Sequence, residues 1–146
     1  MKRSLMYTVI LTFVLASNAQ AGSQSCSNLQ GEWKNQLGST LSISSIDGKT
    51  GKLTGTYVSP SGTAGDKHEL SGWVNNEKNP EAKSFTPAIS FSVQWGKYGS
   101  ITSWTGSCDD KGGVPTITTI WNLVRTSSQF TWDHVLTNSD VFTPKQ

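Results

Sequence analysis

The feature that most constrains the fold is a series of short runs in which apolar and polar residues alternate, separated by glycine, proline, asparagine, aspartate and serine. Such runs predict half-buried β-strands joined by tight turns, and no segment beyond the first 21 residues shows a helical period. We place turns at 47–51, 75–80 and 109–113. The predicted strands are 31–35, 40–45, 52–59, 69–75, 88–94, 100–108, 116–125 and 131–143.

Eight sequential strands on short connections favour an all-β, antiparallel up-and-down arrangement. Closing the sheet into a β-barrel would pair its two edge strands and so remove the exposed edges. A barrel of eight strands has an interior that side chains can fill or that can hold one small ligand. An open sandwich of two sheets is the alternative that the pattern leaves.

Residues 1–21 have the pattern of a secretory signal peptide. A basic start at Lys2 and Arg3 precedes an apolar run over 5–16, and Ala19-Gln20-Ala21 is typical of a cleavage site. The apolar run is short for a membrane span, which disfavours an uncleaved anchor. We therefore expect a secreted or periplasmic protein without membrane association, in which residues 22–146 form one domain.

The net charge and its distribution argue against nucleic acid as a partner. The chain has 12 Lys and Arg against 10 Asp and Glu, and loss of Lys2 and Arg3 with the signal leaves 10 of each, a net charge of zero. Because the sequence has neither a basic patch nor a run of like charges, we expect no binding to nucleic acid.

The two cysteines, Cys26 and Cys108, are expected to form a disulfide, since an even pair in an exported protein is most simply a bridge. Such a bridge would close a loop of about 80 residues and stabilise the fold by about 4 kcal/mol in the chain-entropy model. With only His68 and His134 as further soft ligands, the spacing matches no metal site.

The segment that begins at Gly31 has polar residues on its apolar face. In an extended strand Trp33, Asn35, Leu37 and Ser39 would share one face, whereas residues 32, 34 and 36 would face solvent. A buried polar group without a partner costs about 1–3 kcal/mol. Asn35 and Ser39 must therefore pair within the protein or face a cavity.

Six tryptophans, at 33, 73, 95, 104, 121 and 132, are a large number for this chain. Trp33 is expected in the core, but other aromatic residues share predicted faces with hydroxyls and a carboxyl. These faces hold Ser100, Thr102 and Trp104, then Trp121 and Leu123, then Asp140 and Phe142. Aromatic walls with a few polar groups are typical of a small-molecule pocket.

Catalysis is not indicated. His68 and His134 belong to no recognisable Ser-His-Asp order. Asp133 and Asp140 could form a carboxylate pair, but a spacing of seven on a strand would put them on opposite faces.

The segment 58–66 is rich in serine and glycine and has no apolar anchor, so we expect a mobile surface loop or a plain spacer.

Taken together, these residues resemble the avidin–streptavidin family of biotin-binding proteins, from Cys26 to Thr143. Several short motifs in register carry the resemblance where one alone would be weak. They are Gly31-x-Trp33-x-Asn35-x-Leu37-Gly38-Ser39 after Cys26, Leu53-Thr-Gly-Thr-Tyr57, Trp95 with Ser100-x-Thr102-x-Trp104-Thr-Gly-x-Cys108, Trp121-x-Leu123, and Trp132-x7-Asp140-x-Phe142-Thr143. The resemblance implies an eight-stranded antiparallel barrel that binds biotin without chemistry or cofactor, with Cys26 and Cys108 matching the avidin disulfide.

The resemblance also implies roles for single residues. Asn35, Ser39 and Tyr57 would donate hydrogen bonds to the ureido oxygen of biotin. Ser59 and Asp140 would accept from its two N–H groups. Thr102 would approach the sulfur, and Ser100 with a lid around Thr63 and Ala64 would hold the valeryl carboxylate. The walls of the site would be Trp95, Trp104, Trp121, Leu37 and Leu123.

Trp132 matches the tryptophan with which tetrameric relatives reach into the pocket of a neighbouring subunit. The resemblance therefore implies a homotetramer, and the alternative is that Trp132 caps its own barrel. Lys97 and Tyr98 depart from the family pattern. Lys97 could pair with the ligand carboxylate or face solvent, and Tyr98 could stack on the ligand or crowd it.

Two other functions remain open at this point. A barrel of the same shape could carry a different small apolar ligand, as lipocalins do. A secreted carbohydrate-binding module would stack sugars on solvent-exposed tryptophans.

Overall fold

A computed structural model of the chain describes residues 24–63, 65–78 and 80–146, so the predicted signal peptide and Ala64 lie outside the described residues. Eight antiparallel strands follow one another around a closed barrel. They are β1 Gly31–Asn35, β2 Thr40–Ile46, β3 Lys52–Val58, β4 Lys67–Asn75, β5 Ala88–Gln94, β6 Ser100–Lys111, β7 Val114–Arg125 and β8 Val135–Pro144. A short 3-10 helix, Gly96–Tyr98, connects β5 to β6.

The predicted barrel is confirmed and the open sandwich is wrong, because the first and last strands pair. Trp33 lies opposite Pro144, and Asn35 lies opposite Phe142. This pairing closes the hydrogen-bond ladder, so neither β1 nor β8 is left with an exposed edge.

Two strand boundaries differ from the predicted ones by three residues or more, and the others differ by at most two. The last strand begins at Val135 rather than at 131, because the preceding residues form a connection that contacts Arg125. Asp133 makes an ion pair with the Arg125 guanidinium, and Nδ1 of His134 lies 2.9 Å from the Arg125 carbonyl oxygen. The β6 strand continues to Lys111, so the predicted turn at 109–113 shrinks to Gly112 and Gly113. Both glycines have positive φ, 64° and 85°, as a two-residue hairpin turn of type I′ requires.

Inward-pointing apolar side chains fill the barrel at the end away from the β3–β4 connection. Trp33 is fully buried, as predicted, and its indole nitrogen donates to the Leu29 carbonyl oxygen at 2.9 Å. The predicted disulfide is confirmed: Cys26 and Cys108 are bonded, with Cα atoms 5.3 Å apart, and attach the segment before β1 to β6. Other fully buried side chains are Leu41, Leu53, Ile117 and Phe142.

Within the described ranges, no helix is long and apolar enough to cross a membrane. The same residues contain no cluster of three or more His, Cys, Asp or Glu side chains that could hold a metal ion.

Candidate functional site

A cavity of about 490 Å³ occupies the barrel end at which the connections β1–β2, β3–β4, β5–β6 and β7–β8 meet. Of the fourteen residues predicted to contact a ligand from their own chain, thirteen line it, and Ala64 lies outside the described residues. The thirteen are Asn35, Leu37, Ser39, Tyr57, Ser59, Thr63, Trp95, Ser100, Thr102, Trp104, Trp121, Leu123 and Asp140.

The ladder between β6 and β7 builds one wall of the cavity. Directly opposite residues of antiparallel strands point to the same face, and alternate pairs along the ladder share that face. Three alternate pairs line the cavity, running from its depth to its mouth: Trp104 with Trp121, Thr102 with Leu123, and Ser100 with Arg125.

Asn35, predicted either to pair within the protein or to face a cavity, does both. Its Oδ1 accepts hydrogen bonds from the backbone nitrogens of Leu37 at 3.1 Å and Ser39 at 2.8 Å. These two donors identify Oδ1 as the oxygen, so Nδ2 is the donor group; one of its N–H bonds donates to the Tyr57 hydroxyl at 3.5 Å and the second is left for the cavity. Asn35 thus pairs with the turn on one side and offers an N–H group to the cavity on the other.

The turn that follows Asn35 departs from the predicted alternation. Asn35 ends β1, and Leu37 consequently lies at the rim of the cavity with 63% of its surface exposed. Gln36, predicted to face only solvent, reaches across to β8. Its Nε2 donates to the Ser139 carbonyl oxygen at 3.2 Å, and its Oε1 accepts from the Val141 nitrogen at 2.9 Å.

Tyr57 is held as a hydrogen-bond donor. Burial raises the pKa of its phenol, the nearby charge of Asp140 raises that pKa further, and a hydrogen bond with Ser39 opposes both effects. The phenol therefore keeps its proton at physiological pH. Tyr57, Ser39 and Asn35 place three side-chain donors in one buried part of the cavity.

Two acceptors complete the polar set. Asp140 is 2% exposed; its Oδ2 accepts from the indole nitrogen of Trp104 at 2.9 Å and its Oδ1 from Gln36 at 3.4 Å. Ser59 donates its hydroxyl proton to the Ser61 carbonyl oxygen at 2.9 Å. With that proton committed, the Ser59 oxygen can act only as an acceptor toward a ligand.

Indole rings supply the apolar walls and orient one hydroxyl. Trp95 and Trp104 are buried, and the Tyr57 ring lies 4.9 Å from that of Trp104 and 5.8 Å, edge-on, from that of Trp95. The Trp95 indole nitrogen donates to Thr102 Oγ1 at 2.8 Å. Thr102 therefore retains its own proton for a weak acceptor such as sulfur.

Residues 60–63, 65 and 66, called the lid below, lie at the mouth of the cavity and are held by hydrogen bonds from the β5–β6 connection. Thr63 is buried, and the Tyr98 hydroxyl lies 3.2 Å from its carbonyl oxygen and 2.9 Å from Asp66 Oδ2. Lys97 Nζ lies 3.2 Å from the same Asp66 oxygen. The contacts of Tyr98 and Lys97 with the lid are called the latch below, and they replace the apolar anchor that the lid lacks.

Electrostatics of the latch favour the charged state of Asp66. The hydrogen bond from Tyr98, followed by the hydrogen bond and charge of Lys97, lowers the pKa of Asp66. The same pairing raises the pKa of Lys97. Lys97 therefore pairs with the lid, and its side chain is 75% exposed, in agreement with the second predicted role, that it faces solvent.

Sequence reasoning missed several residues of the cavity. Arg125 could have been predicted from the sequence, because it lies two residues after Leu123 and therefore on the same strand face as Trp121 and Leu123. Leu136 depended on the register of β8, which places it opposite Leu123. The missed lining residues are Ser61, Gly62, Arg125, Ser127 and Leu136. Tyr98, for which a ligand contact was left open, also lines the cavity.

Two predicted features lie outside the cavity wall. Trp132 is 76% exposed and stacks on Phe130 with ring centroids 4.6 Å apart, so it does not cap the cavity of its own chain. His68 packs edge-on against Trp95 at 5.0 Å, and its buried Nε2 has no hydrogen-bond partner among the described residues.

Comparisons with known proteins agree with this architecture. A sequence model of the Avidin family matches residues 23–145. Avidin of Gallus gallus is 31% identical over 124 residues, covering 84% of this chain and 78% of avidin. The crystal structure of bradavidin superposes with a TM-score of 0.68 at 30% identity, covering 84% of this chain and 82% of bradavidin.

The crystal structure of xenavidin is similar to the same extent. It is 32% identical, has a TM-score of 0.67, and the match covers 84% of this chain and all of xenavidin. Because the family match spans nearly all of the described residues, this chain belongs to the avidin family.

Proposed function

We propose that the chain binds biotin in its barrel cavity and catalyses no reaction on it. The observation that carries this proposal is the polar set of the cavity. Three donors, Asn35, Ser39 and Tyr57, and two acceptors, Ser59 and Asp140, line the same buried space. A urea group has one carbonyl oxygen and two N–H groups, which is the complement of that set.

The cavity is organised before a ligand arrives, which reduces the ordering cost of binding. Asn35 is held by its turn, Asp140 by Trp104, and Thr102 by Trp95. An ionised Asp140 makes a charge-assisted hydrogen bond, which is about twice as strong as a neutral one. The rings of Trp95, Trp104 and Trp121, with Leu37 and Leu123, supply the apolar surface for the bicyclic ring and its chain.

The polar set also argues against the two other functions. A carrier of a different apolar ligand would leave several buried polar groups unpaired, each at a cost of about 1–3 kcal/mol. For a carbohydrate-binding surface, exposed tryptophans would be needed on one face. Trp73 and Trp132 are exposed, but Trp95 and Trp104 are buried inside the barrel.

We further propose that the protein is a homotetramer, exported to a secreted or periplasmic location. The outer surfaces of β6, β7 and β8 support assembly. Ile101 lies opposite Val124, which in turn lies opposite Val135, and each is about half exposed. Such a contiguous apolar row is typical of a protein interface. Trp132, exposed in its own chain, would then reach the cavity of a neighbour.

The test is a titration of the protein, expressed without residues 1–21, with biotin by calorimetry and tryptophan fluorescence. We expect one biotin per chain and a changed tryptophan spectrum. Asn35→Ala should weaken binding about tenfold or more through loss of a buried donor. The matched control Asn122→Ala, on the exposed face of β7, should bind like the parent protein. Absence of heat and of spectral change at high micromolar biotin would contradict the proposal.

A further inference from the structure

We propose that Arg125 recognises the carboxylate of the ligand and makes the cavity selective for the free acid over its esters and amides. This inference rests on the biotin-binding function proposed above. It concerns the mouth of the cavity, whereas the polar set described so far lies in its depth.

The register of the barrel puts Arg125 beside the expected carboxylate site. Arg125 lies directly opposite Ser100 on the β6–β7 ladder, and both line the cavity. Directly opposite residues have Cβ atoms about 4.5–5.5 Å apart, so one small anion can contact both side chains. Ser61 and Ser127 line the same cavity and add further hydroxyls.

Asp133 holds the guanidinium of Arg125 in one orientation. The Nε donates to the Asp133 carbonyl oxygen at 2.8 Å, and Nη2 donates to Asp133 Oδ2 at 3.0 Å. Among the described residues, Nη1 has no partner. The side chain is one-third exposed, so its uncommitted edge remains accessible. Because the guanidinium is planar and already fixed, little entropy is lost when a second carboxylate binds.

The charges around the cavity make Arg125 the natural partner for an anion. Of the described residues that line the cavity, Arg125 is the cation and Asp140 is the anion. Asp140 is buried against Trp104, in the part of the cavity proposed for the neutral urea. Lys97 is paired with Asp66 as Arg125 is with Asp133, but neither Lys97 nor Asp66 lines the cavity. A ligand that is neutral at one end and anionic at the other matches this distribution.

The experiment compares biotin with biotin methyl ester, which keeps the ring and chain but has no charge. Dissociation constants of both are measured by competition for the parent protein, Arg125→Gln and Lys97→Gln. We expect Arg125→Gln to weaken biotin binding about tenfold and to leave the ester within about twofold, as loss of one charge-assisted interaction predicts. Lys97→Gln, which also removes a cation from the mouth, should preserve the preference for the acid.

A second variant separates recognition from support of the 126–134 connection. Asp133→Asn weakens the same ion pair but keeps the guanidinium, so it should preserve the ratio of the ester constant to the acid constant. An equal loss of acid and ester binding in Arg125→Gln would show a merely supporting role and overturn the inference. If the parent protein binds ester and acid equally, the biotin function stands and this inference fails. If it binds neither, both fail.

Discussion

At the scale of single residues, three polar side chains of the cavity are each positioned by a second group. The backbone of the β1–β2 turn holds Asn35, the Trp104 indole holds Asp140, and the Trp95 indole holds Thr102. These partners determine which atom of each side chain donates and which accepts. The sequence could identify the polar residues by their alternation with tryptophan, but not the partners that orient them.

The first prediction concerns Asp140→Asn, a change that keeps size and removes charge. We expect biotin affinity to fall about 10-fold to 100-fold, because a charge-assisted acceptor is lost and the new NH₂ group faces the N–H of Trp104 or of Gln36. Competition binding measures the effect. Ser139→Ala, on the outer face of the same strand opposite the exposed Ile120, is the control. Unchanged affinity in Asp140→Asn would show that Asp140 does not contact the ligand.

At the scale of elements, the lid and the β5–β6 connection act together. The composition of the lid predicted a mobile surface loop or a spacer, and its position beside the ligand came from the family resemblance. Its hydrogen bond with Tyr98 joins residues more than 30 positions apart in the chain. Such a contact has no signature in either segment alone. The short 3-10 helix Gly96–Tyr98 is what carries Tyr98 and Lys97 to the lid.

The second prediction is that acid loosens the lid. Because the hydrogen bond from Tyr98 and the contacts with Lys97 lower the pKa of Asp66 below its ordinary 3.8, the latch is complete above that pH. Its contribution is lost as the pH falls through the lowered pKa. We expect protonation of Asp66 to raise the dissociation rate of biotin about threefold.

The measurement is a chase with excess unlabelled biotin across the acid range, in the parent protein and in Asp66→Asn. The variant should release biotin faster at neutral pH and should lack this part of the pH dependence. Other carboxylates titrate in both proteins, so the difference between the two profiles reports Asp66. Identical profiles would show that the latch does not control release.

At the scale of the whole molecule, closure of β1 on β8 completes the barrel that encloses the cavity, and the β6–β7 and β7–β8 pairings form the outer apolar row. The eight strands and their order were predictable because period-2 alternation and turn residues are local signals. The position at which β8 begins was not predictable. It depends on Asp133 and His134 binding Arg125 rather than entering the sheet.

The third prediction concerns assembly. Val124→Glu places a charge in the middle of the apolar row formed with Ile101 and Val135, and we expect a smaller oligomer because an unpaired charge at an interface is costly. Sedimentation equilibrium measures the mass of the parent protein and the variant. The control is Ser71→Glu, at an exposed position on β4, a strand that does not contribute to that row. A monomeric parent protein would contradict the proposed tetramer.

By itself, the sequence determined the all-β class, the strand order, the disulfide and the inward faces that carry Asn35, Trp104 and Trp121. These follow from spacing within a strand and from the small number of cysteines. Individual ligand roles, such as those of Ser59 and Ser100, came from the family resemblance instead. The tertiary structure alone decided that Tyr98 fastens the lid and that Arg125 stands opposite Ser100. Those features depend on which distant residues the closed barrel brings into register.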